Sequence, residues 1–485
     1  MRRIRSLPIL AALAAAAVAV TVPAHVLAQE TDTERGAARV VVHTLDSLES
    51  SLGLPAMVAR LTGPDAARDA VTARAKELMD TELLAMGDDI TRHPEIGFTE
   101  TRSVKILTDW LSKHGFDVTM GVAGLPTAFV ARYKQNNGAP NLGVIVEYDA
   151  LRGTKGAFHG DQHSTQGPIG LAAAVAVAEY LTRTHTPGSV TVFGTPGEEM
   201  MPPVAKTVMY DSAVFQGMDV IVRSHSSAVT SRPAAGFGTC CMNINGTRYT
   251  FSGAPAHQLT AWNGRNALTA VIHLFDNVDG IRSNLRPEAR IQGVIVEGGA
   301  APNVVPDRTV ADFYIRYPDE VYLAQETAMV DNAALAAALG TGTKVTIDHY
   351  GQLRDGISIG TLDELGYAYM KKFGATNVLP EAGKPQGLEE TGSVSSDIPG
   401  MGFTSQTSSA PNHTYEMLAD ATAPIGHHGF TVDAQAMSAL LYDFATHADY
   451  RAAVKREFTA IQGLHAAYLT ALKKVYTLPT VPDPQ

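Results

Sequence analysis

The stretch that decides the fold is Ser189-Val190-Thr191-Val192-Phe193-Gly194-Thr195-Pro196-Gly197-Glu198-Glu199. Its first half is short, apolar and rich in β-branched residues, which is typical of a strand buried on both faces of a sheet. A Glu-Glu pair is usually solvated surface, but this pair stands where a buried strand reaches the surface. Open α/β sheets place their functional sites outside the carboxyl ends of such strands. We therefore expect Glu198 and Glu199 to belong to a site.

Three further polar clusters follow the same pattern. Glu147-Tyr148-Asp149-Ala150-Leu151 comes at the end of an apolar strand, and His159-Gly160-Asp161-Gln162-His163 lies in the loop after it. Arg223-Ser224-His225 follows another apolar strand. Imidazole and carboxylate groups that converge at neighbouring strand ends are what a metal site requires. Each cluster alone is a weak signal, and their joint occurrence predicts a metal centre.

The order of elements predicts two nested domains. Apolar strands at 128–133, 142–147, 189–194 and 220–222 alternate with helices such as 167–181, which indicates a mostly parallel sheet covered on both faces. From Cys241 to Tyr350 the order becomes β-α-β-β-α-β, the pattern of a ferredoxin-like sandwich. The α/β pattern resumes after Gly356 and ends in a helical stretch at 433–469. The second domain is therefore expected to be inserted into the first.

Composition narrows the function classes. The chain has 485 residues, 45% apolar and 18% charged, with a net charge of -11, so it can bury a large core and does not suit a duplex nucleic-acid binder. Its two cysteines, Cys240 and Cys241, are adjacent, which excludes a disulfide framework and a Cys-rich zinc fold. We expect them to pack at the domain boundary without a function.

The N-terminus has the features of a secretory signal. Arg2, Arg3 and Arg5 precede an apolar run, and Val26-Leu27-Ala28 provides small residues before a cut ahead of Gln29. A periplasmic or secreted bacterial protein is expected, with no membrane attachment after cleavage. The expected division is a signal peptide at 1–28, a helical extension at 29–90, a catalytic domain at 91–240 and 353–475, a lid at 241–352 and a tail at 476–485.

The motifs and their order over about 78–469 resemble the M20 family of metallopeptidases and amidohydrolases, in particular its amidohydrolase branch with aminobenzoyl-glutamate hydrolases and indole-acetyl-amino-acid hydrolases. The matching motifs, besides the clusters above, are His93-Pro94-Glu95-Ile96-Gly97-Phe98, Gly253-Ala254-Pro255-Ala256-His257, Pro302-Asn303-Val304-Val305-Pro306-Asp307 and Pro411-Asn412-His413-Thr414. The resemblance implies a phosphorylase/hydrolase-like zinc-peptidase catalytic domain and a ferredoxin-like α+β lid that also dimerises. It also implies a metal-dependent amidohydrolase or peptidase that cleaves an N-acyl or N-aroyl amino acid, or a small peptide, with metal-activated water.

The resemblance also implies roles for single residues. Two divalent metal ions, Zn²⁺ first and Mn²⁺ or Co²⁺ as alternatives, would be held by the family's ligand positions. These positions fall on Asp161, His163, Glu199, His225 and His413. In the family's catalytic roles, Glu198 is the general base, Asp149 orients a ligand, and His257 of the lid stabilises the oxyanion, commonly in the site of the other protomer of a dimer.

Some assignments stay open at this point. The branch usually carries His-x-Cys-Gly-His where this chain has Asp161 in place of the cysteine, and a carboxylate is a harder ligand that makes Mn²⁺ or Co²⁺ more plausible. His159 is the alternative ligand in this loop, and His427 or His428 is the alternative to His413.

Two lid residues are candidates to hold a substrate carboxylate. Arg316 offers a bidentate fork, and Asn303 lies in one of the matching motifs. Asn303 could equally organise a turn before Pro306, and Arg316 could be an ordinary strand residue.

Two other function classes compete with the hydrolase. A catalytically silent two-domain protein could bind a small molecule in the same cleft, although the intact Glu198-Glu199 pair argues against it. A serine hydrolase is disfavoured because the sequence has no Gly-x-Ser-x-Gly motif between a strand and a helix. The expected partners are a small amide or peptide substrate and a second copy of the chain.

Overall fold

The structure is a computed structural model that describes residues 31–133, 138–200, 205–238, 243–385, 388 and 392–474. The expected signal peptide, the Cys240-Cys241 pair and the tail at 476–485 lie outside the described residues. Two units with separate hydrophobic cores are present. We call residues 243–353 the lid and the other described residues the body. In the part of the chain that is described, no helix has the length and apolar character needed to cross a membrane.

The described residues form one large sheet in the body, one in the lid and a small hairpin. In chain order the strands are β1 (Phe116–Met120), β2 (Phe129–Tyr133), β3 (Asn141–Val146), β4 (Leu151–Gly153), β5 (Gly156–Phe158), β6 (Ser189–Gly194), β7 (Val220–Ser224), β8 (Asn243–Ser252), β9 (Arg290–Glu297), β10 (Arg308–Tyr317), β11 (Lys344–Leu353) and β12 (Gly400–Phe403). The body sheet has the order β1-β2-β6-β3-β7-β12, and its strands from β6 to β12 are parallel. This arrangement confirms the predicted α/β class.

Helices cover both faces of the body sheet and one face of the lid sheet. In chain order they are α1 (Asp32–Leu52), α2 (Leu54–Leu61), α3 (Ala66–Leu78), α4 (Leu84–Arg92), α5 (Thr101–Lys113), α6 (His163–Thr184), α7 (Ala205–Asp211), α8 (Ala267–Arg282), α9 (Glu320–Thr341), α10 (Gly360–Lys372), α11 (Tyr415–Ala421), α12 (Pro424–Thr446) and α13 (Ala448–Lys473). The Ala-rich α6 is buried along most of its length and packs on β3, β6 and α12. Small side chains permit this close approach of helix and sheet.

Two helix boundaries differ from the sequence expectation. The helix expected at 167–181 begins at His163, so this histidine lies on a helix rather than in a loop. The single helix expected at 433–469 is interrupted because His447 has an extended backbone (φ -109°, ψ 98°), which ends α12 and begins α13. Strand β1 was missed because only one of its five residues, Phe116, is buried, and β12 because two of its four residues are glycine.

The lid has the predicted β-α-β-β-α-β order. Its antiparallel sheet has the order β11-β8-β10-β9, with α8 and α9 packed on one face. Apolar residues alternate along β10, as expected for a sheet with one covered face. The prediction of a ferredoxin-like insertion is therefore confirmed.

Helix α1 contacts both units. Leu45 and Leu48 pack against the core of the body. Near the other end of the helix, Glu34 forms a buried ion pair with Arg286 of the lid, with Nη1–Oε1 at 2.5 Å and Nη2–Oε2 at 3.1 Å. The Arg286 guanidinium lies over the Tyr322 ring, 4.2 Å from its centroid. The predicted N-terminal helical extension thus contacts both the body and the lid.

Candidate metal centre

The site lies at the carboxyl ends of three adjacent strands. Strand β3 runs between β6 and β7, so the residues after these strands are neighbours in space. Asp149 follows β3, Glu199 follows β6, and His225 follows β7 directly. His163 stands at the start of α6, in the crossover from β3 to β6. The strand order therefore brings four of the expected residues together.

Asp161 is the centre of the ligand cluster. Its Oδ2 lies 3.3 Å from Nε2 of His413, 3.6 Å from Nε2 of His225 and 3.9 Å from Nε2 of His163. Glu199 Oε1 lies 3.4 Å from the same nitrogen of His413. All five residues expected to hold metal are thus brought into one cluster.

His413 reaches the cluster from a distant part of the sequence. It adopts a left-handed backbone (φ +66°), which is uncommon for a residue with a side chain. Its backbone N–H donates to the carbonyl of Gly160 at 2.8 Å. The Pro411–Thr414 loop is thereby tied to the loop that carries Asp161.

Asp149 is hydrogen-bonded to two of the expected ligands. The Nδ1–H of His163 donates to Asp149 Oδ1 at 2.9 Å, and the backbone N–H of Glu199 donates to Asp149 Oδ2 at 2.9 Å. A carboxylate that binds the distal nitrogen of a metal-ligating histidine selects its tautomer and orients its ring. These two hydrogen bonds suit the orienting role expected of Asp149, which stays a prediction.

Two neighbours of Asp161 were not anticipated from the sequence. Ser226 Oγ donates to Asp161 Oδ1 at 2.8 Å, and Asn412 Nδ2 donates to the same oxygen. Burial opposes ionisation of Asp161, but the nearby His225 and His413 outweigh it and hold the pKa of the carboxyl below its usual range. The sequence could have indicated a role for Asn412, because this residue lies inside a matching motif. For Ser226 the only indication was its position next to His225.

Glu147 is a further residue for which the sequence suggested no role. Its carboxylate is buried and pairs with Lys206 and with Arg223, whose Nη1 lies 3.3 Å from Oε2. The same Oε2 lies 3.6 Å from Nε2 of His163. Glu147 therefore borders the cluster, and two cations share its charge. Nothing in the sequence near Lys206 signalled this contact.

The alternative histidines lie in other surroundings. His159 is buried, neither ring nitrogen has a hydrogen-bond partner, and burial lowers its pKa to about 3. His427 Nε2 donates to Asp88 at 2.8 Å, and His428 Nε2 donates to the carbonyl of Gly374 at 2.8 Å. The contacts of His427 and His428 are thus with the body surface, whereas those of His413 are with Asp161 and Glu199.

The donor set fits divalent metal ions. Buried polar atoms normally have partners, yet His163 Nε2 and Glu199 Oε1 have no hydrogen-bond partner and both border the cluster. Burial raises the pKa of Glu199 to about 7, against the opposing effect of His163 and His413. Two sets of three residues each place their donor atoms within 4.8 Å of one another. One set is Glu147, His163 and His225, and the other is Asp161, His163 and Glu199. Nitrogen and carboxylate donors at these spacings suit Zn²⁺, Mn²⁺ or Co²⁺.

Three residues expected from the lid have different surroundings. Arg316 on β10 is half-buried, and burial lowers its pKa while the negative charge of Glu198 partly offsets that effect. Arg316 is thus close enough to the site to interact with Glu198. His257 and Asn303 are exposed and lie side by side, since Gln258 N–H donates to the Asn303 carbonyl at 3.0 Å and Leu259 N–H donates to His257 Nδ1 at 3.1 Å. Their contacts are within the lid.

Comparisons with known proteins identify relatives of this chain. Residues 242–341 match the family model for the peptidase dimerisation domain of M20 enzymes. The chain is 28% identical over 365 residues to the Xaa-Arg dipeptidase of Homo sapiens, covering 70% of this chain and 81% of that one. It is 30% identical over 322 residues to one of the p-aminobenzoyl-glutamate hydrolase subunits of Escherichia coli (strain K12), covering 63% and 64%.

A solved structure shares the fold. The M20 peptidase from Bacillus subtilis, described as a dinuclear metal-binding peptidase, superposes with a TM-score of 0.52 at 16% identity, covering 76% of this chain and 98% of that one. The lid match, the relatives and the carboxylate–imidazole cluster confirm the prediction of an M20-like, metal-dependent amidohydrolase or peptidase.

Proposed function

We propose that the protein hydrolyses the amide bond of an N-acyl or N-aroyl amino acid, or of a small peptide, with two divalent ions at the cluster around Asp161. The observation that carries the proposal is the convergence of Asp161, His163, Glu199 and His413 at ion-pair distances, with two of their atoms lacking hydrogen-bond partners. Relatives named as a dipeptidase, a deacetylase and an aminobenzoyl-glutamate hydrolase support this range of substrates.

Metal ions, when bound, supply polarisation of the carbonyl and lower the pKa of water toward about 7. The residues that would hold them are the five of the cluster. Glu198 follows a Gly197 with a left-handed backbone (φ +60°), and it precedes the ligand Glu199. This position suits a base that takes a proton from the attacking water and delivers it to the departing amine.

The role of Glu198 is tested by Glu198→Gln, which keeps the size of the side chain and removes its basicity. We expect turnover to fall by a factor on the order of 10²–10⁴ while metal content is unchanged. Glu457→Gln is a matched control because it alters a buried carboxylate that accepts two backbone N–H groups in the body. Full activity of Glu198→Gln would refute the assignment.

The substrate class is tested by a hydrolysis screen. N-acyl amino acids and dipeptides are offered to metal-loaded enzyme, with chelated enzyme as the control. Hydrolysis that disappears on chelation and returns with Zn²⁺, Mn²⁺ or Co²⁺ supports the proposal and ranks the metals. Absence of chelator-sensitive hydrolysis of every compound contradicts it and favours the silent binding protein.

Arg316 is proposed to bind the carboxylate of the substrate. It is half-buried on the lid and interacts with the charge of Glu198, and a guanidinium binds carboxylates in a bidentate manner. Arg316→Ala should raise KM for an N-acyl amino acid more than for the matching amino-acid amide, which lacks the carboxylate. An equal effect on both compounds would contradict this role.

A homodimer through the lid is proposed from an exposed apolar edge. Strand β9 is an edge of the lid sheet, and its Val294, Ile295 and Val296 are exposed. Leu259 and Trp262, just after His257, are each 76% exposed. Such a patch on a domain that matches a dimerisation family favours a second copy as the occupant. His257 would then serve the site of the other protomer.

Complementation tests this arrangement. The inactive variants Glu198→Gln and His257→Ala are mixed after dissociation, and their activity is measured. If His257 acts across the interface, random heterodimers contain one intact site, and about a quarter of wild-type activity returns. Activity that stays absent, or a monomer by light scattering, would contradict the proposal.

Periplasmic or secreted localisation is proposed from residues 1–28. N-terminal sequencing of the protein isolated from its native bacterium should begin at Gln29. A mature chain that retains Met1 would contradict this localisation.

A further inference from the structure

One matching motif, residues 93–98, has no part in the cluster described above, yet the segment that contains it joins two strand ends of the site. Ala150 N–H donates to the Glu95 carbonyl at 2.9 Å, and Ile96 forms a parallel bridge with Ala150. Ala150 follows the orienting residue Asp149. The start of the segment is thus fastened to the end of β3.

The other end of the segment is fastened to the turn after β6. Glu100 is fully buried, and its Oε1 accepts the backbone N–H of Gly197 at 2.8 Å. Its Oε2 accepts Thr127 Oγ1–H at 2.8 Å, and Tyr148 O–H donates to the Thr127 carbonyl at 2.6 Å. A buried chain of hydrogen bonds thereby links the residue before Asp149 to the residue before Glu198.

Close packing restricts the same turn. A Cβ on Gly97 would lie 2.6 Å from the Cα of Gly197, and a Cβ on Gly197 would lie 2.8 Å from the Phe98 ring. Gly197 also needs its left-handed backbone, which other residues adopt at a cost. Close packing therefore prevents the turn from moving toward residues 97 and 98. The Glu100 hydrogen bond is the contact that keeps it from moving away from them.

We propose that Glu100 is a positioning residue, which sets the placement of Glu198 and Glu199 by holding the N–H of Gly197. The proposal rests on the proposed roles of these two glutamates. The hydrogen bonds of the Glu100 carboxylate are to Thr127 and Gly197 and not to an expected ligand atom, so it acts through the turn. Without it, a buried N–H loses its acceptor and the turn can move away from the metal centre.

The test is Glu100→Leu, compared with Glu100→Gln. Leucine removes both acceptor oxygens at a similar size. The amide oxygen of glutamine can still accept the Gly197 N–H while its NH₂ group donates to Thr127 Oγ1, because a hydroxyl can also accept. We expect kcat to fall in the order wild type, Gln, Leu, by about 10- to 100-fold for Leu, because a shift of about 1 Å has effects of this size. KM should stay within about twofold of wild type.

Two further measurements separate positioning from general damage. Metal content by elemental analysis should be unchanged, and the visible spectrum of the Co²⁺-substituted enzyme should change because Glu199 is displaced. Glu457→Gln, which also removes an acceptor of two backbone N–H groups, should lower thermal stability without changing the Co²⁺ spectrum.

The inference is overturned if Glu100→Leu keeps wild-type kcat and spectrum. It is also overturned if Glu100→Gln is no better than Glu100→Leu, or if lost activity follows metal loss alone. Glu198→Gln is measured in parallel. Full activity in that variant would overturn the proposed role of Glu198, whereas an inactive Glu198→Gln beside an unaffected Glu100→Leu would overturn only the positioning role.

Discussion

Asp149→Asn tests the most connected residue of the site. The carboxylate accepts from His163 Nδ1 at 2.9 Å and from Glu199 N–H at 2.9 Å, one bond to each oxygen. Asparagine is nearly the same size but has only one acceptor. Its NH₂ group must face either His163, where it favours the tautomer with a proton on Nε2, or the N–H of Glu199, where two donors oppose each other.

The magnitude follows from these two outcomes. A proton on Nε2 removes His163 as a metal ligand, and loss of such an orienting partner costs about 10- to 100-fold in metal affinity. That range equals about 1.4–2.7 kcal/mol, since each tenfold change is worth about 1.4 kcal/mol. In the other orientation, the backbone N–H of Glu199 loses its acceptor, and this costs about 1–3 kcal/mol in the folded, metal-binding state. Either way, metal affinity should fall by at least about fivefold, since about 1 kcal/mol corresponds to about a factor of 5.

The assay is a competition between the protein and a chelator of known affinity, read as metal retained after equilibration. Catalytic activity is then measured at saturating metal, where turnover should partly recover. Glu457→Gln serves as the control, because it loses one carboxylate acceptor for backbone N–H groups of α10 without touching the cluster. Wild-type metal affinity in Asp149→Asn would refute the reasoning.

Three further predictions concern other parts of the molecule. Glu34→Ala leaves Arg286 buried without its carboxylate and should lower the free energy of unfolding by about 3–5 kcal/mol in a urea titration. The control Asp32→Ala, at an exposed position of the same helix, should not have this effect. Equal stabilities of the two variants would contradict the prediction. Burial raises the pKa of Glu326 to about 8 from 4.5. The contribution of its neutral carboxyl to the free energy of unfolding is therefore full below pH 4.5 and is lost as the pH rises through 8. Glu326→Gln should therefore gain on the order of 3 kcal/mol over wild type between pH 5 and pH 8, and parallel pH curves would contradict it. Asp161→Cys should shift metal preference toward Zn²⁺ over Mn²⁺ in a competition titration, because thiolate is the softer ligand, and an unchanged ratio would count against Asp161 as a ligand.

Much of the site could be predicted because its residues follow apolar strands. The run that ends in Glu198 and Glu199 is buried as expected, and the expected ligands His163 and His225 lie in the cluster. The strands are visible because burial on both faces requires continuous apolar residues. Resemblance was needed for His413, since nothing near it in the sequence indicates which loop it meets.

Other contacts could not be predicted. Lys206 pairs with Glu147 across 59 positions, and Glu100 accepts from Gly197 across 97 positions. No periodicity links such residues, and their types are also common on protein surfaces. The break at His447 was missed for a related reason, because apolar residues continue at helical spacing on both sides of it.

The sequence by itself determined the elements, their order and the kinds of donor at each strand end, because hydrophobic burial has a period that can be read along the chain. Only the tertiary structure decided which donors share a place. Placing β3 between β6 and β7 brings Asp149 beside Glu199, and the fold of the loop at 411–414 brings His413 to Asp161. These contacts depend on sheet order and on hydrogen bonds between distant segments, which form only when the whole core packs.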